Sequence, residues 1–252
     1  MTNPPHMTSI SLRLLKEWRA NGCRWEDALK RWRPKEVDAF NPGIYGASLY
    51  ERFLGRYAPG PSPVLALGLN PGPYGMAQTG IPFTDCRTAE AVLDIKLPLP
   101  GLAPPDLARR LKRPDGLWRS HYERSSLGIY RVLRLAWGDP RTAFRNWFMV
   151  NTCPLLFLKA GEYKNMTPAD GPIKRLEGLH DLRGEALARF AAILKPRAIV
   201  CLGNDVRDEH GAAAERLVGA ARVIRYPHPA RAVPTAWAVG LRQQLAQRGL
   251  IQ

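Results

Sequence analysis

The stretch Pro63-Val64-Leu65-Ala66-Leu67-Gly68-Leu69, running straight into Asn70-Pro71-Gly72-Pro73-Tyr74-Gly75-Met76-Ala77-Gln78-Thr79-Gly80-Ile81-Pro82-Phe83, decides how the chain folds. Its first half is a short continuous apolar run, which suits a strand covered on both faces. In its second half glycine and proline alternate too closely for helix or strand, so the backbone there is a shaped, rigid loop at the strand's carboxyl end. It is not a phosphate-binding P-loop, because no Gly-Lys-Ser/Thr follows and the glycine spacing differs.

Three further runs read as strands of the same kind: Trp147–Val150, Ala198–Leu202 and Arg222–Tyr226. Helical patterns separate them, at Leu127–Trp137, Ile173–Leu194, Asp205–Leu217 and Ala236–Gln247. Upstream, Ser9–Trp32 reads as an amphipathic helix with Leu12, Leu15, Trp18 and Trp25 on one face behind a Thr8/Ser9 cap, and a second helix is expected over Tyr45–Tyr57. Strands alternating with helices predict an α/β fold: a three-layer α/β/α sandwich around a short, mainly parallel sheet. The Pro-, Arg- and Lys-rich segment Lys96–Arg124 reads as a surface connection with one helical turn, so one domain is expected over residues 1–252, with residues 1–40 as an N-terminal helical extension.

Each strand ends in a group able to serve a polar site: Asn70, Asn151, Gly203-Asn204 and His228. Ligands of open parallel sheets bind beyond the carboxyl ends of the strands, so these residues are expected to face one crevice.

Charge points to the partner. The 252 residues carry 37 Lys plus Arg against 22 Asp plus Glu, a formal net charge of +15. A domain this basic seeks polyanions, and RNA, DNA and anionic membrane are all open on that ground alone. No apolar run reaches membrane-spanning length and the polar N-terminus does not read as a signal peptide, so an intracellular protein is expected. Cys23, Cys86, Cys153 and Cys201 are scattered without a C-x-x-C pair or a histidine at metal spacing; reduced, mostly buried thiols and a metal-free mechanism are expected.

The loop Gly68–Phe83 resembles the first motif of the single-strand-selective monofunctional uracil-DNA glycosylases, within the uracil-DNA glycosylase superfamily. Asn41-Pro42 with Tyr45 resembles that family's approach to the first strand. Asn151-Thr152-Cys153-Pro154-Leu155-Leu156-Phe157, followed by Asn165-Met166-Thr167-Pro168-Ala169, resembles its middle motif, and His228-Pro229 stands where its third would fall. The resemblance implies that Asn70 orients the attacking water and that His228 hydrogen-bonds uracil O2. It implies that Asn151 reads O4 and N3–H, that Phe83 stacks on the flipped base, and that Met76 and Gln78 line the same pocket. Gly72 stands where other uracil glycosylases place a bulky side chain against thymine's methyl, which leaves room for C5-modified uracils. Pro71, Arg231, Val233 and Pro234 are expected to contact DNA, with Arg231 as the wedge that fills the hole left by the flipped base.

Two departures from the family's pattern are expected of a divergent subgroup, a bacterial one among the options, with a shifted base preference. Pro229-Ala230-Arg231 stands for an expected Pro-Ser-Pro-Arg, and Thr84-Asp85 for Gly-Glu. The implied activity is base-excision repair by a monomer acting on uracil in single- or double-stranded DNA, with no cofactor and no membrane partner. Its place would be the cytoplasm (at the nucleoid in a bacterium) or the nucleus of a eukaryote. A same-fold glycosylase of deaminated purines, xanthine or hypoxanthine, and a catalytically silent DNA-binding protein are the competing readings. Retention of Asn70, Asn151 and His228 together favours an enzyme.

Overall fold

The computed structural model describes residues 7–32, 35–98, 103–110, 123–162 and 164–251. Seven strands run in chain order among them: β1 (Val37–Phe40), β2 (Val64–Gly68), β3 (Trp147–Asn151), β4 (Leu156–Lys159), β5 (Asn165–Met166), β6 (Ala198–Leu202) and β7 (Val223–Tyr226). The main sheet has the order β3-β2-β6-β7 with every pair parallel. All fifteen residues of β2, β3 and β6 are buried, as their unbroken apolar runs require once helices cover both faces.

The helices fall into two packed groups, Arg124–Trp137 with Pro140–Asn146 and Pro234–Gln247, and Ser9–Trp32 with Leu179–Leu194 and Asn204–Val218. They flank the sheet as the outer layers of a three-layer α/β/α fold, as the strand–helix alternation predicts. No helix among the described residues is long and apolar enough to cross a membrane.

Several expectations need correction. The first helix buries Leu14, Leu15, Trp18 and Trp25, while Leu12 faces outward at 54% exposure. Trp18 stacks on Tyr50 at 4.0 Å between ring centroids and meets Phe190 edge-on, so this helix belongs to the core rather than to an appended extension. The helix expected over Ile173–Leu194 is two, Gly171–Lys174 and Leu179–Leu194, broken where Gly178 adopts φ +72°. The helix expected over Tyr45–Tyr57 begins with a separate turn, Pro42–Tyr45, and runs on as Ala47–Arg56. Strands β1, β4 and β5 form a small antiparallel sheet that no sequence pattern announces, because two to four residues give no readable alternation. The connection over Lys96–Arg124 falls largely outside the described residues; within it Pro105–Arg110 is helical.

The register levels the strand ends: Gly68 pairs with Asn151 and Leu202 with Tyr226. The turns that leave the strands therefore open onto one edge of the sheet.

Candidate active site

A cavity of about 400 Å³ lies at that edge, and Asn70, Gly72, Met76, Phe83, Asn151 and His228 all line it. The strand-end pattern thus brings the principal residues singled out in the sequence to one place.

Asn70 is held by its amide nitrogen. Nδ2 lies 3.3 Å from the carbonyl oxygen of Leu155, 3.4 Å from that of Pro71 and 3.5 Å from that of Met166. Three carbonyls around one end of an amide identify it as the NH2 end, which leaves Oδ1 as the acceptor available to the cavity. Asn151, the last residue of β3, is 5% exposed, and its Nδ2 donates to Met76 Sδ at 3.2 Å. Beside it, Thr152 Oγ1 accepts from Nε and Nη2 of buried Arg183, both at 3.2 Å, and Arg183 is paired in turn with Glu209.

Phe83 is 7% exposed and takes φ +54°, an uncommon backbone for an aromatic residue. It is held there by its neighbours: Thr79 Oγ1 donates to the Thr84 carbonyl at 2.7 Å, and Thr84 Oγ1 lies 2.9 Å from Tyr130 Oη. Gly68 is what lets the ring close on the strand end, since a Cβ there would collide with both Asn151 Oδ1 and the Phe83 ring. Gly68→Ala is therefore expected to lower base excision by at least about tenfold through misplacement of Asn151 and Phe83, with little loss of DNA binding; single-turnover rates beside a binding titration check it.

His228 caps the short 3-10 turn Pro229–Arg231, its Nδ1 accepting from Ala230 N–H at 3.2 Å. An accepting Nδ1 puts the proton of the neutral ring on Nε2, a donor. Burial first, then the nearby Arg231 charge, lowers the His228 pKa to about 4, so the neutral donor form persists across the working range.

Glu123, which stands at the end of an aperiodic basic connection, also lines the cavity. Its carboxyl occupies the space that side chains at Gly72 and Gly75 would need: a Cβ at either position would collide with one of its oxygens. The opening expected beside Gly72 is thus bounded by a carboxyl group. Glu123 N–H donates to Asp85 Oδ2 at 2.7 Å, while Asp85 Oδ1 caps the helix Cys86–Ala91 at Thr88 N–H, also at 2.7 Å. The departure Thr84-Asp85 therefore anchors both Phe83 and Glu123. Burial, with the Asp85 charge, raises the Glu123 pKa to about 7.

Three expected contacts are placed differently. Gln78 does not line the cavity: it is fully buried behind the loop, its Nε2 donating to the Pro73 carbonyl at 3.0 Å and its Oε1 accepting from Cys86 Sγ at 3.0 Å. Pro71 is buried in the cavity wall rather than presented at the rim. Pro234 is the first residue of the helix Pro234–Gln247 and lies outside the lining. Arg231 lines the cavity and is exposed; Val233, two residues on, is 70% exposed but, like Pro234, lies outside the lining.

Burial of the histidines gives the fold a pH dependence. His210 is buried, its Nε2 without a hydrogen-bond partner among the described residues though 3.8 Å from Glu209 Oε1, and burial lowers its pKa to about 3. Below pH 6.5 the unfolded chain takes up protons that folded His228 and His210 refuse, so folding weakens as pH falls toward 4. Glu123 acts oppositely, since its raised pKa lets the folded state bind a proton between 4.5 and 7. Two groups outweigh one, leaving roughly one proton of net difference near pH 5, or about 1.4 kcal/mol per pH unit. The melting temperature is expected to drop by about 3 °C per unit between pH 6 and 5, and His228→Gln to flatten that slope; scanning calorimetry across the range checks both.

A cavity at the carboxyl edge of a parallel sheet, lined by Phe83, the amides of Asn70 and Asn151 and a neutral His228 imidazole, suits a planar heterocycle bearing carbonyl and N–H edges. Residues 54–238 match the Uracil DNA glycosylase superfamily, and the chain belongs to that family. It is 36% identical over 216 residues, 84% of this chain and 76% of the relative, to the single-strand selective monofunctional uracil-DNA glycosylase of Rattus norvegicus. It is 34% identical over 234 residues, 90% and 84% of the two chains, to the single-strand selective monofunctional uracil DNA glycosylase of Bos taurus. Among solved structures, wild-type Pedobacter heparinus SMUG2 superposes with a TM-score of 0.67 at 19% identity, over 86% of this chain and 90% of that one, a likeness of fold.

Proposed function

We propose that this chain is a monofunctional uracil-DNA glycosylase of base-excision repair, taking uracil and C5-modified uracils out of single- or double-stranded DNA and leaving an abasic site. It works as a monomer, as one glycosylase domain, in the compartment that holds the DNA. The observation that supports the reading is that Asn70, Asn151, His228 and Phe83 line one cavity at the carboxyl edge of the sheet.

The chemistry rests on those groups. A neutral amide is too weak a base to make hydroxide, so the N-glycosidic bond breaks largely ahead of attack and the sugar passes through an oxocarbenium-like state. Asn70 Oδ1 accepts from the water and holds it at the sugar carbon, and its partial negative charge favours the cation. As the bond breaks, negative charge gathers on the departing base, where His228 Nε2–H donates to O2; a donor fixed in advance is worth most in the transition state. The Asn151 amide donates to O4 and accepts from N3–H, a pairing that suits uracil. Flipping costs a few kcal/mol of stacking and pairing, offset in part by Arg231 and Val233 entering the vacated space.

The test is a set of single-turnover excision reactions on oligonucleotides carrying uracil, 5-hydroxymethyluracil, xanthine or hypoxanthine, single- and double-stranded. Release of both pyrimidines is the expected result. Excision confined to the two purines would move the substrate while keeping the site. Salt-sensitive binding with no excision would leave a DNA-binding protein in place of the enzyme.

A further inference from the structure

We propose that Arg183 is a positioning residue for base excision: from behind the cavity wall, through the hydroxyl of Thr152, it fixes the end of β3 on which Asn151 stands. The inference rests on the glycosylase reading and adds to it a residue that touches neither base nor sugar.

Thr152 follows Asn151 and is fully buried where β2 and β3 end side by side. Its backbone N–H donates to the Gly68 carbonyl at 3.1 Å, and the next N–H, of Cys153, donates to that of Leu69 at 3.0 Å. The side chain repeats the tie. A threonine hydroxyl has one proton and two lone pairs. Nε–H and Nη2–H of Arg183 both meet the oxygen at 3.2 Å and take the lone pairs. The proton is left to the Gly68 carbonyl at 3.4 Å or the Leu69 carbonyl at 3.5 Å. The guanidinium thus sets which way the hydroxyl turns, and the hydroxyl holds the end of β3 against the residues just before Asn70. Asn151 sits close on that junction, its Oδ1 lying where a Cβ on Gly68 would stand. A shift of Thr152 carries Asn151 with it.

Arg183 is held in turn. It stands on the helix Leu179–Leu194, is buried, and lies outside the cavity lining. Its Nη1 is paired with Glu209 of the helix Asn204–Val218, whose first turn does line the cavity. Burial lowers the Arg183 pKa only to about 10, so it stays a cation across the working range. Stability alone is a weak reason for this arrangement, because taking a guanidinium and a carboxylate out of water costs about as much as their attraction returns. A planar fork that meets one oxygen with two N–H groups gives orientation, which neither a lysine nor a hydrocarbon supplies.

The experiment is single-turnover uracil excision over a range of enzyme concentrations, which separates the limiting rate from the half-saturating concentration. It is run on the wild type, Thr152→Ser, Thr152→Val and Arg183→Lys, with a melting temperature for each. Thr152→Val keeps the shape and removes the acceptor, and is expected to lower the limiting rate by at least about tenfold with half-saturation within about twofold. Thr152→Ser keeps the hydroxyl and is expected to stay within about threefold of wild type. Arg183→Lys, which keeps the charge beside Glu209 but not the fork, is expected to fall with the valine variant. Because the hydroxyl acts through Asn151, adding Thr152→Val to Asn151→Ala is expected to cost less than about twofold. A wild-type limiting rate in the valine or the lysine variant, whatever its melting temperature, would overturn the inference and leave the network a structural one. Equal losses in the serine and valine variants, or a loss undiminished in the Asn151→Ala background, would overturn it as well. A wild type that releases no uracil would remove the reading beneath it.

Discussion

Asn70→Ala is expected to lower the single-turnover rate of uracil excision by about three orders of magnitude and to leave the dissociation constant for uracil-containing DNA within about twofold. The asymmetry comes from what the side chain touches. Its NH2 end is spent on the carbonyls of Leu155, Met166 and Pro71, so little DNA-binding energy passes through it. In the proposed mechanism its oxygen places the water and faces the developing cation, and both tasks exist only along the reaction path, where binding energy becomes rate. DNA affinity comes mostly from neutralised phosphates on a chain of net charge +15, which one alanine does not alter. A gel-shift titration beside rapid-quench excision separates the two quantities. Parallel loss of binding and rate would make Asn70 a structural residue of the loop.

His228→Leu is the second large effect, with an expected loss of about 10²–10³ in the same rate, roughly 3–4 kcal/mol of transition-state stabilisation. Leucine fills similar space and removes the Nε2–H donor, so the loss falls on the chemical step. His228→Gln, which restores an N–H donor, is expected to recover part of it. Because the His228 pKa is lowered to about 4, the wild-type rate should show no titration of this residue between pH 5.5 and 8. An inflection near pH 6.5 that disappears in His228→Gln would contradict the neutral-donor role.

The main sheet is legible in the sequence because β2, β3 and β6 are compact apolar runs closed by polar turns, the pattern that burial on both faces imposes, and the edge strand β7 keeps the buried pair Val223-Ile224 before its own turn. The proposed catalytic pair is legible for a related reason: Asn70 and His228 stand within two residues of strand ends, and chain topology carries them to one edge. The small antiparallel sheet is not legible, since Asn165–Met166 pairs with β4 through tertiary context that no periodicity announces. Glu123 is hidden differently. It ends an aperiodic basic segment, and its contacts are with glycines some fifty residues upstream, where a side chain at Gly72 or Gly75 would collide with its carboxyl. Gln78 shows the converse: the motif that contains it lines a pocket, yet its own amide is turned into the support behind the wall.

The central claim, metal-free hydrolytic excision of uracil led by Asn70, is tested most directly by one cleavage assay. An end-labelled oligonucleotide with a single uracil is incubated in enzyme excess, and each sample is divided and run with and without hot alkali, with Asn70→Ala alongside and chelator present throughout. Strand breaks at the uracil that require alkali and vanish in the mutant are the predicted result, because a monofunctional glycosylase leaves an abasic site and an intact backbone. Breaks that form without alkali, or that persist at near wild-type rate in Asn70→Ala, would contradict the account.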